Sequence, residues 1–99
     1  MLLEGKKILI MGIRNKWSIA FGIAQSVYEN GGKLIFTYRG EGNKEKIKEL
    51  VSEFKGSKIY ALDDASDDEQ VKSVFENIKE ENGKIDGILH AKAHAKTED

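Results

Sequence analysis

The chain has 99 residues, which is enough for one domain with a single hydrophobic core. Although 33% of its residues are charged, the net charge is only -1, so no strong surface field favours nucleic acid or an anionic membrane as a partner. The absence of cysteine excludes disulfides, thiolate catalysis and zinc–thiolate sites, and it favours the cytoplasm. No apolar run approaches the roughly 18 residues of a membrane-spanning helix, so we expect neither a signal peptide nor a membrane segment.

The first predicted element is a strand over residues 7–11, whose nearly continuous apolar sequence is typical of a strand buried on both faces of a parallel sheet. A loop that begins with Gly12 leads from this strand to a helix beginning at Ser18. Because a helix N-terminus presents unpaired N–H groups and the positive end of its dipole, such a loop can hold a phosphate. We expect Gly12 to allow close backbone approach, Ser18 to cap the helix or bind phosphate, and Gly22 to prevent a collision between helix and strand.

A second strand is predicted over residues 34–38, and the helices that precede and follow it in the chain both have clear apolar stripes. The first helix ends at Asn30-Gly31-Gly32, and its expected buried residues are Ile19, Ala20, Ile23, Ala24 and Val27. The second helix begins at Asn43 with charged residues on its outer faces, and its expected buried residues are Ile47, Leu50, Val51 and Phe54.

A third strand over residues 58–62 precedes the last helix. Ser66 with Glu69 three residues later matches a capping box, which predicts Ser66 as the N-cap. This helix ends at Asn82-Gly83, and a short fourth strand follows over residues 87–90. The expected buried residues of the third helix are Val71, Val74, Phe75 and Ile78.

This alternation predicts an α/β fold, a Rossmann-like doubly wound parallel sheet of four strands in the order 3-2-1-4 with three helices. The first helix is expected on one face, with the other two available to cover the second and outer strands. We expect one partial dinucleotide-binding domain over residues 1–99, of which 92–99 form a polar tail. Ligands of such sheets bind beyond the carboxyl ends of the strands, and the free edge of the fourth strand favours self-association.

The segment Met11–Gly22, with the sequence MGIRNKWSIAFG, resembles the first βα turn of the enoyl-[acyl-carrier-protein] reductases of the divergent short-chain dehydrogenase type. In that family a glycine and five further residues precede Ser-Ile-Ala-x-Gly-Ile-Ala. The resemblance continues over essentially the whole chain, through Phe36-Thr37-Tyr38, Asp64, Asp86-Gly87 and His90, but covers only about the first third of such an enzyme. It implies the NADH- or NADPH-binding portion of an oxidoreductase of fatty acid biosynthesis, with weak binding of the dinucleotide.

The resemblance also implies which residues contact the cofactor. Gly12, Ser18 and Ile19 match positions that hold the pyrophosphate and the nearby ribose. Asp64 matches the acid that hydrogen-bonds the adenine amino group. Ala65 follows it where the family usually has valine, so one wall of the adenine pocket is thinner.

The choice of cofactor depends on the end of the second strand, where an acid would bind a ribose 2′-hydroxyl and an arginine would accept a 2′-phosphate. Arg39 stands there, followed by Glu41, which favours NADPH slightly and leaves NADH open. Lys92 is a further expected cofactor-binding position, because it falls in the segment that runs under the nicotinamide in the family. The family has apolar residues at this position and at the position of His94.

No catalytic residue and no metal ligand is predicted. The family's catalytic tyrosine has a lysine seven positions later, and none of the three tyrosines here has that partner. One hypothesis is therefore a cofactor-binding portion that is not catalytic on its own. The alternative is an engineered or trimmed structural domain without activity, which Lys92 and His94 favour.

Overall fold

The computed structural model describes residues 2–13, 19–64 and 66–90. Within these ranges the sheet has four parallel strands in the order β3-β2-β1-β4, which confirms the predicted class and order. No helix in these ranges is long and apolar enough to cross a membrane. The strands and helices are β1 (Lys7–Met11), α1 (Ile19–Glu29), β2 (Lys33–Tyr38), a 3-10 turn (Glu41–Asn43), α2 (Lys44–Leu50), β3 (Lys58–Ala61), α3 (Asp68–Asn82) and β4 (Gly87–His90).

The helices lie on both faces of the sheet. Because the crossovers from β1 to β3 run in one direction and the crossover to β4 returns, right-handed connections place α1 and α2 on one face and α3 on the other. Successive residues of β1 alternate accordingly, with Ile10 in the cluster under α1 and α2, and Leu9 and Met11 in the cluster under α3.

The core under α1 and α2 contains an aromatic cluster centred on Phe54. Its ring centroid lies 5.3 Å from that of Phe21, 5.5 Å from that of Tyr28 and 6.0 Å from that of Phe36. Phe54 lies beyond the end of α2, since that helix stops at Leu50 and the chain continues in turns. The predicted burial of Ile47, Val51 and Phe54 is confirmed, and Leu50 is partly buried.

The buried face of α1 differs from the predicted stripe. Ile19 and Ile23 are 83% and 37% exposed, whereas Phe21 is buried beside Ala20, Ala24 and Val27. The physical reason is the position of the turns after α2, since Phe54 there offers Phe21 a packing partner on one flank and the two isoleucines lie on the opposite flank.

Gly22 does not relieve a close approach of α1 to the sheet, so that prediction was wrong. A Cβ atom built on Gly22 has no heavy atom within 4 Å among the described residues outside the helix's own backbone. The small side chains that face the sheet are instead the buried Ala20 and Ala24.

The N-cap of α3 is Asp67, not Ser66 as predicted. The Asp67 carboxylate accepts hydrogen bonds from the backbone N–H groups of Glu69, at 3.0 Å, and Gln70, at 3.4 Å. The Ser66 hydroxyl instead donates to Asp64 Oδ1 at 2.6 Å, and Ser66 precedes the capping position by one residue. The predicted end of the helix is confirmed, with Gly83 at a φ of 81°.

Tyr60 connects β3 to the last turn of α3. Its hydroxyl donates to a carboxylate oxygen of Glu81 at 2.5 Å and accepts from the side-chain amide of Asn82 at 2.9 Å. Burial raises the pKa of Tyr60 above its ordinary value, and the hydrogen bond to Glu81 raises that pKa further. Of the predicted α3 core residues, Ile78 is fully buried and Val71, Val74 and Phe75 are partly buried.

Candidate functional site

The carboxyl ends of the four strands meet along one edge of the sheet. Met11 pairs in register with Thr37 of β2 and with His90 of β4, and Tyr38 pairs with Ala61 of β3. The residues that follow the strands therefore lie side by side, and the switch in strand order falls between β1 and β4. Open parallel sheets bind ligands at such an edge.

Gly12 turns the chain directly after β1. Its φ of 84° lies in the left-handed region, which a residue with a Cβ atom adopts only at a cost. Its N–H donates to both the carbonyl oxygen and the hydroxyl oxygen of Thr37, each at 3.1 Å. These two hydrogen bonds hold the start of the loop against the end of β2. The left-handed turn by itself therefore favours glycine at position 12, in addition to any requirement of a bound ligand.

The N-terminus of α1 lies after this loop. Residues 14–18 lie outside the described ranges, and the predicted role of Ser18 in capping the helix or binding phosphate lies outside them as well. Ile19 begins the helix with an exposed side chain, and the first turn contains no acidic residue that would offset the positive end of the dipole. An anion at this point would therefore meet no carboxylate from the first turn of α1.

The turn after β2 presents Arg39 to solvent. Asn43 holds this turn, since its side-chain amide donates to the Arg39 carbonyl oxygen at 2.7 Å. Gly40 has a φ of 86°, and its N–H donates to Asp63 Oδ1 at 2.8 Å. A carboxylate from the β3 exit thus contacts the backbone next to Arg39.

The exit from β3 is fixed by Gln70 of α3. Its side-chain oxygen accepts hydrogen bonds from the backbone N–H groups of Asp63 and Asp64, both at 3.1 Å. Asp64 Oδ1 accepts from the Ser66 hydroxyl and from the Ser66 N–H at 3.0 Å. The Ser66 hydroxyl and then its N–H hold the pKa of Asp64 below its usual value, and Arg39 lowers that pKa further. Asp64 is consequently an ionised acceptor at neutral pH.

The structure brings Gly12, Arg39 and Asp64 to the same sheet edge, with Ile19 at the start of the following helix. Ala65 and Lys92 lie outside the described residues. Among the described residues, no group of three or more histidines, cysteines or acids could hold a metal ion.

Sequence reasoning missed four residues that shape this edge, namely Thr37, Gly40, Asp63 and Gln70. Gly40 gave a signal, since a glycine in the turn that follows a strand often adopts a positive φ. The partners of Asp63 and Gln70 gave none, because they depend on how the loops meet in space.

Comparison with known proteins identifies similar sequences and folds. The family model described as enoyl-(acyl carrier protein) reductase matches residues 12–99. The NADH enoyl-[acyl-carrier-protein] reductase FabI of Bacillus cereus is 42% identical over 99% of this chain and 39% of its own length. The NADPH enzyme of that name from Staphylococcus aureus is 41% identical over 98% of this chain and 38% of its own length.

Solved structures agree with these sequence matches. The enoyl-[acyl-carrier-protein] reductase (NADH) of Aquifex aeolicus superposes with a TM-score of 0.83 at 37% identity, over 91% of this chain and 35% of that one. The Bacillus cereus enoyl-acyl carrier protein reductase with NADP+ and indole naphthyridinone gives 0.80 at 43% identity, over 88% and 34%. The chain spans less than two fifths of the length of these relatives.

Proposed function

The chain belongs to the enoyl-[acyl-carrier-protein] reductase family, and we propose that it is the dinucleotide-binding portion of such an enzyme of fatty acid synthesis. The observation that carries this proposal is the meeting of Gly12, the Arg39 turn and the ionised Asp64 along the carboxyl edge of the sheet. The ligand is NADH or NADPH, since the Bacillus cereus relative is named as an NADH enzyme and the Staphylococcus aureus relative as an NADPH enzyme.

The pyrophosphate and nearby ribose are proposed to bind at Gly12, Ser18 and Ile19. The left-handed turn at Gly12 leads the chain away from β1 without a side chain, and the N-terminus of α1 supplies the positive dipole end that favours a phosphate. This half of the site depends on backbone groups, so we expect ADP to bind nearly as well as NADH.

The adenosine end is proposed to bind at Asp64, Ala65 and Arg39. Asp64 is held as a carboxylate by Ser66, and a carboxylate accepts the hydrogen bond that an adenine amino group donates. The exposed Arg39 guanidinium suits a 2′-phosphate, which favours NADPH slightly. Lys92 is proposed to lie on the nicotinamide side.

These 99 residues are not expected to reduce an enoyl thioester by themselves. The nicotinamide supplies a hydride when the cofactor is bound, but the sequence offers no tyrosine with a lysine seven positions later to polarise the substrate carbonyl. General acids contribute about 10² to 10⁴ in rate, and oxyanion stabilisation contributes a further ~10² to 10³. We therefore expect no thioester-dependent oxidation of NADH or NADPH at high protein concentration.

The binding proposal is tested by titrating NADH, NADPH and ADP by calorimetry against the chain and two glycine variants. Gly12→Val crowds the phosphate approach and should abolish binding of all three ligands. Gly5→Val is the matched control, because Gly5 has nearly the same φ, 82°, but precedes the amino end of β1. Equal affinity in Gly12→Val and Gly5→Val would show that the loop is not the site.

Self-association through β4 is a second part of the proposal. β4 is an edge strand of the described sheet, and its Ile88 is 55% exposed. Sedimentation across a wide concentration range should show reversible association. A monomer at every concentration would contradict this part alone.

A further inference from the structure

Resting on the proposed cofactor-binding function, we propose that Asp63 is a specificity-determining residue that opposes Arg39 and disfavours a 2′-phosphorylated dinucleotide. Its carboxylate accepts the Gly40 N–H at 2.8 Å, and Gly40 directly follows Arg39 in the chain. The group that would bind a 2′-phosphate therefore has a negative charge fixed beside its own backbone.

The position of Asp63 is set by contacts on three sides. The Leu62 N–H donates to the Tyr38 carbonyl oxygen at 2.8 Å, which extends the pairing of β2 and β3 to the residue before Asp63. The Asp63 N–H donates to Gln70, and the side chain is held by Gly40. Asp63 is exposed, so its charge acts at the surface where a ribose would lie.

Asp63 and Asp64 have different partners and therefore different roles. Asp64 directs Oδ1 to Ser66, within its own loop, and stands at the position proposed for the adenine amino group. Asp63 directs Oδ1 across 23 residues of sequence to the β2 turn. Of these two residues, Asp63 is hydrogen-bonded to the turn that contains Arg39, whereas the Ser66 hydrogen bonds and then the charge of Arg39 lower the pKa of Asp64.

The size of the effect follows from simple electrostatics. At an assumed separation of about 8 Å in a water-like dielectric, a carboxylate weakens the binding of a 2′-phosphate with nearly two negative charges about fivefold. The interaction is screened by salt, since the Debye length is about 10 Å at 0.1 M and about 3 Å at 1 M. Removing the charge should therefore strengthen NADPH binding at low salt and have little effect on NADH.

The test compares three variants by calorimetric titration with two ligand pairs, NADPH with NADH and adenosine 2′,5′-bisphosphate with 5′-AMP. Asp63→Asn removes the charge but keeps an oxygen that can accept the Gly40 N–H. Asp63→Ala removes both the charge and the acceptor. The matched control is Asp86→Asn, because Asp86 also accepts a backbone N–H between chain segments, that of Lys7 at 2.9 Å, but at the amino end of β1.

In Asp63→Asn we expect the preference for the 2′-phosphorylated ligand to rise about fivefold at low salt and the gain to shrink at 1 M salt. Asp63→Ala should weaken both ligands of each pair, since the Gly40 turn loses its partner. Asp86→Asn should leave the preference unchanged. Equal changes for both ligands in Asp63→Asn, or the same gain in Asp86→Asn, would overturn this inference alone, whereas failure of every ligand to bind the unaltered chain would overturn the proposed function with it.

Discussion

Replacing Gly22 with alanine should stabilise the fold, although the residue belongs to the glycine pattern of the βα turn. Gly22 lies inside α1, where glycine costs about 0.8 to 1 kcal/mol relative to alanine. A Cβ atom there meets no described heavy atom within 4 Å outside the helix's own backbone, so steric strain does not offset this gain. For a domain of this size, ~1 kcal/mol corresponds to a rise in Tm of about 4 to 8 °C.

The matched comparison is Gly12→Ala, the other glycine of the pattern. Its φ of 84° is strained for alanine, which should destabilise the fold by about 1 to 2 kcal/mol. Thermal unfolding followed by circular dichroism should show a higher Tm for Gly22→Ala and a lower Tm for Gly12→Ala. Urea unfolding should show a changed midpoint at a constant m-value for each variant. A lower Tm for Gly22→Ala would refute the reasoning, since it would mean that a segment outside the described residues packs closely against α1.

Three further predictions test the packing, the cap of α3 and the pH dependence of stability. Phe54→Ala should lower the free energy of unfolding by about 3 to 5 kcal/mol, because three rings lose their shared partner, and Phe54→Leu should lose less in the same urea titration. Asp67→Ala should cost about 0.5 to 2 kcal/mol by urea unfolding, and a larger loss in Ser66→Ala would contradict the assignment of the cap. Because the folded pKa of Tyr60 is raised, the stability that Tyr60 contributes is complete below the ordinary value of 10.0 and is lost as pH rises through the raised pKa. The free energy of unfolding should therefore fall less between pH 8 and pH 11 in Tyr60→Phe than in the unaltered chain. An equal fall in both would count against this linkage.

The sequence by itself determined the strands and their order. Lys7–Met11 and Gly87–His90 form strands with the predicted bounds, because short apolar runs between turn residues specify strands locally. The order then follows from right-handed crossovers, which depend on the alternation of elements rather than on side-chain detail. The family was likewise identifiable from the contiguous segment that begins at Met11.

Only the tertiary structure decided which side chains each element buries and which loops touch. Phe21 is buried and Ile19 is exposed because Phe54, in the turns after α2, packs on one flank of α1, and a helical period does not reveal where a neighbouring segment packs. Asp67 caps α3, since its carboxylate reaches the N–H groups of Glu69 and Gln70, whereas the Ser66 hydroxyl donates to Asp64. Local patterns fix the elements, but contacts between residues distant in sequence exist only after the elements assemble.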